Sequence, residues 1–177
     1  MSMSQAVIPL EEGWKKLREG GVLKIQEILE DLGDGQYSKK ITTDEYSSLY
    51  TTVYTMCTQK PPNNWSDDLY NRCRIEAQQF SARAVARLAG KQGDQYVAAL
   101  FVVWRGFELY AKFASHVFKY LDRFYVKRLS LPELKEVGDQ NFHEIVFNAV
   151  KRDVRAAVLE MVRKEREGEQ IDRKLIR

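Results

Sequence analysis

The stretch Thr43–Lys60, TDEYSSLYTTVYTMCTQK, decides the fold class of this sequence. It contains no glycine or proline, and its large apolar side chains recur at the three- and four-residue spacing of an amphipathic helix. Thr43 or Asp44 can cap its start, and Pro61 stops it. The stretch therefore predicts a helix over residues 43–60, and the period-two alternation typical of a strand is missing.

Outward from this helix, clusters of glycine and proline divide the chain into long segments without breakers. Turn signals lie at residues 33–35, 61–64, 90–94 and 130–132. Predicted helices lie between them at about 9–32, 43–60, 66–90, 94–129 and 133–168. Ser66 is the expected N-cap of the third, Gly106 either bends or divides the fourth, and the last becomes regular near Asn141. Short turns favour an all-α, antiparallel bundle of five to six long helices.

The composition excludes several classes of protein. Of 177 residues, 44% are hydrophobic, 11% aromatic and 30% charged, which excludes a disordered tail. The net charge of +3 is too small to indicate a nucleic-acid partner, and no apolar run approaches the 18 residues of a membrane span. No signal peptide is recognisable, and the two cysteines form no disulfide framework. Reduced thiols and a cytoplasmic and nuclear location are expected.

The side chains that carry chemistry are few and scattered. His116 and His143 belong to no metal-binding motif, and the sequence holds no phosphate loop and no nucleophile elbow. Cys57 is expected to be half-buried. Cys73 lies between two arginines on a helix expected to be exposed, where its pKa would change little. The sequence therefore predicts no enzyme, no cofactor and no metal site.

Two helices carry more apolar surface than one core contact requires. In the second helix, Tyr46, Tyr50 and Tyr54 widen the apolar arc to about 160°, where a surface helix needs somewhat over 100°. In the fifth helix two adjacent stripes are present. They consist of Phe113, Val117, Tyr120 and Phe124, and of Ala114, Phe118, Leu121 and Tyr125. Either each helix is buried on two sides or its surplus face binds a partner.

A second interpretation rests on basic residues in the fifth helix. Arg123, Lys127 and Arg128 interleave with Phe124 and Tyr125, which is a pattern that nucleic-acid surfaces use. Ordinary amphipathicity gives the same pattern when the aromatic residues face the core and the basic residues face solvent. A helical nucleic-acid-binding domain is therefore the alternative function, although nucleic acid is not the expected partner.

Three motifs resemble one known family, the cullins, which are scaffolds of multisubunit ubiquitin ligases. Leu49–Cys57, LYTTVYTMC, resembles the second helix of the family, and Tyr120–Arg128, YLDRFYVKR, resembles its fifth. Lys164–Arg173, KEREGEQIDR, resembles the junction into the family's second repeat, and Trp14 fits the first helix. The likeness covers nearly the whole chain and is greatest to plant cullins of the F-box class.

The resemblance implies a first cullin repeat that holds a SKP-type adaptor with its F-box protein through the second and fifth helices. Carried over by motif, the expected contact residues are Tyr46, Ser47, Tyr50, Tyr54, Phe113, His116, Val117 and Tyr120. Ser47 stands where a larger apolar residue is frequent in the family, which could weaken binding or change the choice of adaptor.

The end of the sequence suggests a further hypothesis. Residues 1–168 are predicted as a first-repeat-like bundle, and residues 169–177 as the truncated start of a second repeat. The family's C-terminal domain recruits the RING subunit and is not part of this sequence, so no RING subunit is expected as a partner. The chain is then either a fragment or a truncated cullin-like protein, which in nature would act as a decoy that occupies adaptors without delivering ubiquitin.

Overall fold

The computed structural model describes residues 7–33 and 40–169, and these residues form six helices. Helix α1 covers residues 10–33 and contains a π-helical turn, Arg18–Leu23; α2 is Thr43–Thr58, α3 is Ser66–Ala86 and α4 is Gly93–Val117. Helix α5 covers residues 119–129 around the π-turn Asp122–Val126, and α6 covers 134–166 around the π-turn Phe142–Phe147. The predicted all-α bundle is confirmed. Residues 170–177, most of the predicted start of a second repeat, lie outside the described residues.

The helix starts differ from the predicted ones because side chains outside the helices supply the caps. Thr42, not Thr43 or Asp44, caps α2 through a capping box with Glu45. Ser66 is the first residue of α3, and its backbone N–H and hydroxyl both donate to Asn64 Oδ1. Helix α6 begins at Leu134, next to its predicted start at 133, and is helical from there on rather than becoming regular only near Asn141, because Glu133 and Glu136 form a capping box.

Helix α4 is the centre of the bundle and packs against α1, α2 and α6. It continues through Gly106 without the predicted bend or division. The missing Cβ of Gly106 lets Leu29 of α1 approach closely, since an added Cβ would stand 2.6 Å from Leu29 Cδ1. Gly21 gives Phe113 the same access, with a Cβ at only 2.2 Å from the ring. Glycines thus set the close contact between α1 and α4.

Buried side chains form two hydrophobic clusters. The larger one joins α1, α2, α3, the C-terminal half of α4, α5 and the start of α6, and it includes the fully buried Phe113, Met56 and Leu69. The smaller one joins the end of α3, the N-terminal half of α4 and α6 around Val103 and Val146. Because the two clusters lie at opposite ends of α4, the bundle presents different surfaces at its two ends.

Candidate functional site

The outward face of α2 carries the tyrosines that the sequence placed there. Tyr50 and Tyr54 are exposed, Tyr46 is half-buried, and Ser47 is exposed beside them. The opposite face of the helix, with Leu49, Val53 and Met56, is buried in the larger cluster. The hydroxyl groups of Thr51, Thr52 and Thr58 donate to carbonyl oxygens of their own helix. These hydrogen bonds therefore stay within the backbone of α2 and do not involve the tyrosine side chains.

Aromatic side chains from the end of α4 and from α5 continue this face. The ring of Tyr46 lies 5.7 Å from that of His116, and Tyr54 meets Tyr120 edge-on at 4.9 Å. Tyr120 then contacts the exposed ring of Phe124 at 4.5 Å. These geometries are favourable for aromatic pairs. The aromatic surface is defined as follows: Tyr46, Tyr50, Tyr54, His116, Tyr120 and Phe124.

Two of the expected contact residues lie in the core rather than at the surface of the protein. Phe113 is 1% exposed and Val117 is 0% exposed, so both belong to the core and cannot touch a partner in this conformation. Phe113, His116 and Val117 also lie in the last turns of α4 rather than in the fifth helix. The prediction was wrong for Phe113 and Val117 because it extended one helical phase across a break.

That break is at Phe118, whose backbone leaves helical geometry at φ −94° and ψ 11°. Before it, the stripe that starts at Phe113 faces the core; after it, the same stripe emerges at Tyr120 and Phe124. The neighbouring stripe stays inside through Ala114, Phe118 and Leu121. Phe124 was therefore missed as a surface residue, since no feature of the sequence marks the change of phase.

Polar atoms at the edge of the aromatic surface have defined roles. Burial raises the pKa of the Tyr46 and Tyr120 hydroxyls, so both stay protonated and can donate hydrogen bonds. His116 Nδ1 lies 2.8 Å from the carbonyl oxygen of Lys112. A carbonyl oxygen can only accept, so this contact puts a proton on Nδ1 and leaves Nε2 of the neutral ring as an acceptor.

The basic residues of α5 are exposed, but the aromatic residues between them differ. The guanidinium of Arg123 lies 5.9 Å from the centre of the Phe124 ring, at the limit of a cation–π contact. Tyr125 instead packs inward and donates its hydroxyl to Asp67 Oδ1 at 2.5 Å. Its burial, with that hydrogen bond, raises the pKa of Tyr125 to about 12. Of the two interleaved rings, Phe124 therefore lies on the surface with Arg123, Lys127 and Arg128, and Tyr125 does not.

The cysteines and histidines form no reactive group in the part of the chain that the structure describes. Cys73 is buried, not exposed, and burial raises the pKa of its thiol well above the usual range; burial raises that of Cys57 to about 11. Across residues 7–33 and 40–169, no three His, Cys, Asp or Glu side chains come together as metal ligands. Within those ranges no helix combines the length and apolar character needed to cross a membrane.

Asp122 joins α5 to the start of α6, and its carboxylate accepts the backbone N–H of Leu134 at 3.0 Å. Burial raises the pKa of Asp122 from 3.8 to about 6, partly offset by that hydrogen bond. The neutral carboxyl therefore stabilises the fold at low pH, and this contribution is lost as the pH rises from about 4 through 6.

Asp122→Asn keeps the acceptor oxygen and removes the charge. We expect the variant to gain stability relative to the wild type as the pH rises from 4 to 8, as measured by urea denaturation at several pH values. A stability difference that does not change with pH would contradict this account.

Comparison with known proteins places the sequence of this chain in one family. Residues 14–177 match the profile of the Cullin alpha solenoid domain. The chain belongs to the cullin family. Cullin-1 of Oryza sativa subsp. japonica is 37% identical over 171 residues, which are 96% of this chain and 22% of the rice protein. Cullin-2 of Arabidopsis thaliana is 38% identical over 95% of this chain and 22% of its own length.

A further relative of this cullin-family chain is Putative cullin-like protein 1 of Arabidopsis thaliana, which is 37% identical over 99% of the chain and 24% of that protein. The chain thus spans about a quarter of the length of these cullins. The family match contains the whole aromatic surface and the helices that build it. The predicted resemblance to plant cullins is therefore confirmed.

Proposed function

We propose that this cullin-family chain is a non-catalytic binding module that holds a SKP-type adaptor with its F-box protein through the aromatic surface. The observation that carries the proposal is the joining of Tyr54 and Tyr120, which brings the exposed faces of α2 and α5 into one surface. These are the two helices through which the resemblance implies adaptor binding. Membership of a family of ubiquitin-ligase scaffolds supports the same role.

The chemistry of the surface suits a folded protein partner. Tyrosine combines a large apolar ring with a polar tip, and such side chains are enriched in the centres of protein interfaces. Tyr50, Tyr54 and Phe124 are exposed although each is large enough to anchor a contact. The small side chain of Ser47 is exposed on the same helix as Tyr46 and Tyr50, and a bulky side chain of the adaptor could pack against it.

The direct test is calorimetric titration of the chain with a purified SKP-type adaptor bound to an F-box peptide. Truncating interface anchors typically costs 2 kcal/mol or more, which is about a 30-fold loss of affinity. We expect Tyr50→Ala/Tyr54→Ala to weaken binding at least to that extent, with the helical circular dichroism unchanged because both side chains are exposed.

A control is Ile75→Ala, which removes an apolar side chain of α3 that is more exposed than either tyrosine and lies outside the aromatic surface. This variant should bind the adaptor like the wild type. Absence of binding by the folded wild-type chain would overturn the proposal, and equal losses in both variants would show that the contact is not localised to the aromatic surface.

We further propose a cytoplasmic and nuclear location, which is consistent with two unpaired, buried cysteine thiols. An adaptor bound to this chain would be withheld from other cullins, because all would compete for the same adaptor site. This competition is the physical basis of the decoy hypothesis.

A further inference from the structure

Positive charge is concentrated at the end of α4 and along α5. Residues 109–129 contain five lysines and arginines and one aspartate, so their net charge of +4 exceeds the +3 of the whole chain. The rest of the chain together carries a net charge of −1. All five cationic side chains are exposed: Lys112, Lys119, Arg123, Lys127 and Arg128. Positive potential is therefore localised at this end of the bundle instead of being spread over the surface.

These five cations differ from others on the surface in having no carboxylate partner. Within residues 7–33 and 40–169, none of the five forms an ion pair. Other exposed cations are paired over one helical turn, as Lys135 is with Asp139 at 2.7 Å and Arg163 with Glu160 at 2.6 Å. The charge at the end of α4 and on α5 is thus not compensated from within the described part of the chain.

The carboxylates that lie close to α5 are engaged by other donors. Asp122 is half-buried and accepts the backbone N–H of Leu134 at 3.0 Å. Asp67 of α3 accepts the hydroxyl of Tyr125 at 2.5 Å. Neither carboxylate turns toward the exposed cations, so an external acidic group would meet no competing anion there.

Three of the cations form a row along α5, and the basic stripe is defined as Lys119, Arg123 and Lys127. Their spacing of four residues crosses the π-turn of this helix. A π-turn holds more residues per turn than an α-helix, because its hydrogen bonds join residues five apart. Residues four apart therefore lie nearly in line, as the 4.5 Å contact between the Tyr120 and Phe124 rings shows. The stripe is about 12 Å long.

The basic stripe lies directly beside the aromatic surface. Lys119 and Arg123 each precede an aromatic residue of that surface by one position, namely Tyr120 and Phe124. The guanidinium of Arg123 also lies 5.9 Å from the centre of the Phe124 ring. A protein that covers these two rings therefore brings its own edge next to the cations, where acidic groups are favoured and basic groups are repelled.

The surroundings of the stripe favour an acidic protein over a nucleic acid. A nucleic acid extends far beyond a stripe of about 12 Å and would meet the remainder of the chain, whose net charge is −1. Single-stranded bases also stack on successive aromatic rings. Here Phe124 is exposed beside the cations, whereas Tyr125 packs inward. A short row of carboxylates on a folded protein matches the stripe better.

We propose that the basic stripe receives a short row of Asp and Glu side chains at the edge of the protein that binds the aromatic surface, and that it guides this protein to its site. The inference rests on the proposed function and adds the charge that the partner must carry at this edge. Attraction between rim charges acts before contact and raises the association rate, while the aromatic contacts set the dissociation rate. The stripe therefore acts most strongly at low ionic strength.

The test measures association and dissociation of a purified SKP-type adaptor bound to an F-box peptide by surface plasmon resonance, between about 50 and 500 mM NaCl. At low salt we expect Lys119→Glu/Arg123→Glu/Lys127→Glu to lower the association rate constant by about tenfold or more, and to change the dissociation rate constant by less than about threefold. The corresponding triple glutamine variant should lie between this variant and the wild type, because steering follows the charge. Salt should slow association of the wild type more than that of the glutamine variant.

A matched control reverses three exposed cations of α6, Lys151→Glu/Arg152→Glu/Arg155→Glu. It makes the same change in net charge, but this part of α6 packs on the N-terminal half of α4, away from α5. The control should therefore slow association much less than the stripe variant does. All six side chains are exposed, so circular dichroism should confirm that both variants keep the fold.

The outcomes separate this proposal from the proposed function. Equal association rates for the wild type and the stripe variant, equal slowing by the control, or an effect confined to dissociation would overturn this proposal alone. Failure of the wild type to bind the adaptor would overturn both. Binding of a fluorescein-labelled single-stranded oligonucleotide that is tighter than adaptor binding, and that the stripe variant loses, would assign the stripe to nucleic acid and also overturn the proposal.

Discussion

Phe113→Ala is expected to destabilise the fold by about 3–5 kcal/mol, the usual cost of truncating a buried phenylalanine. Phe113 is 1% exposed and meets the Phe118 ring edge-on at 5.7 Å. On its other side the ring fills the space that Gly21 leaves, so α1 and α4 would lose their shared contact. Urea denaturation followed by circular dichroism measures the loss, as a lower midpoint with little change in slope.

Two further variants serve as controls for this prediction, one at the surface and one at the same buried position. Tyr50→Ala should cost much less stability, because that side chain is exposed. If Phe113→Ala does not fold at all, Phe113→Leu leaves a smaller cavity and should show a smaller loss of the same sign. If Phe113→Ala is as stable as the wild type but loses adaptor binding, the prediction is contradicted, and Phe113 contacts the adaptor instead of supporting the core.

Most of the helices were predictable because breakers bound them and their apolar residues keep one period, whereas the division of residues 94–129 at Phe118 has no breaker and was not predicted. Pro61 marks the end of α2, and residues 9–32 were correctly predicted to form one long helix. The caps were predicted less well, since Thr42 and Asn64 act through their side chains from positions outside the periodic segments. The sequence does not show from which donor the side-chain oxygen of a short polar residue in a turn will accept a hydrogen bond.

The aromatic surface was predictable in part. Tyr50 and Tyr54 lie on the outward face of a helix without interruptions. Their exposure therefore follows from the rotation of about 100° per residue around the helix axis. Phe113 and Phe124 lie on opposite sides of the break at Phe118, and only the backbone geometry shows that one is buried and the other exposed. The exposure of Phe101 and Trp104 on α4 was not predicted, because an apolar stretch such as residues 97–104 has the same sequence pattern whether neighbouring helices cover it or not.

The buried carboxylate of Glu76 is the site of the second large effect. Its side chain is 6% exposed and is paired with Arg18 at 3.2 Å and Arg83 at 2.7 Å. The two arginines are 41% and 39% exposed, so their charges stay partly solvated. The ion cluster is therefore asymmetric: loss of the carboxylate leaves cations that can turn to water, whereas loss of both cations leaves a buried anion without a partner.

Arg18→Met/Arg83→Met should accordingly cost about 3–5 kcal/mol at pH 7, the range for a buried ion that loses its partners. Methionine keeps most of the volume of the arginine stems, so the loss reports charge rather than packing. Glu76→Met should cost clearly less. Urea denaturation of the wild type, the double variant and Glu76→Met at pH 7 measures both losses. A larger loss for Glu76→Met than for the arginine pair would mean that the cations, not the carboxylate, carry the desolvation cost of this cluster.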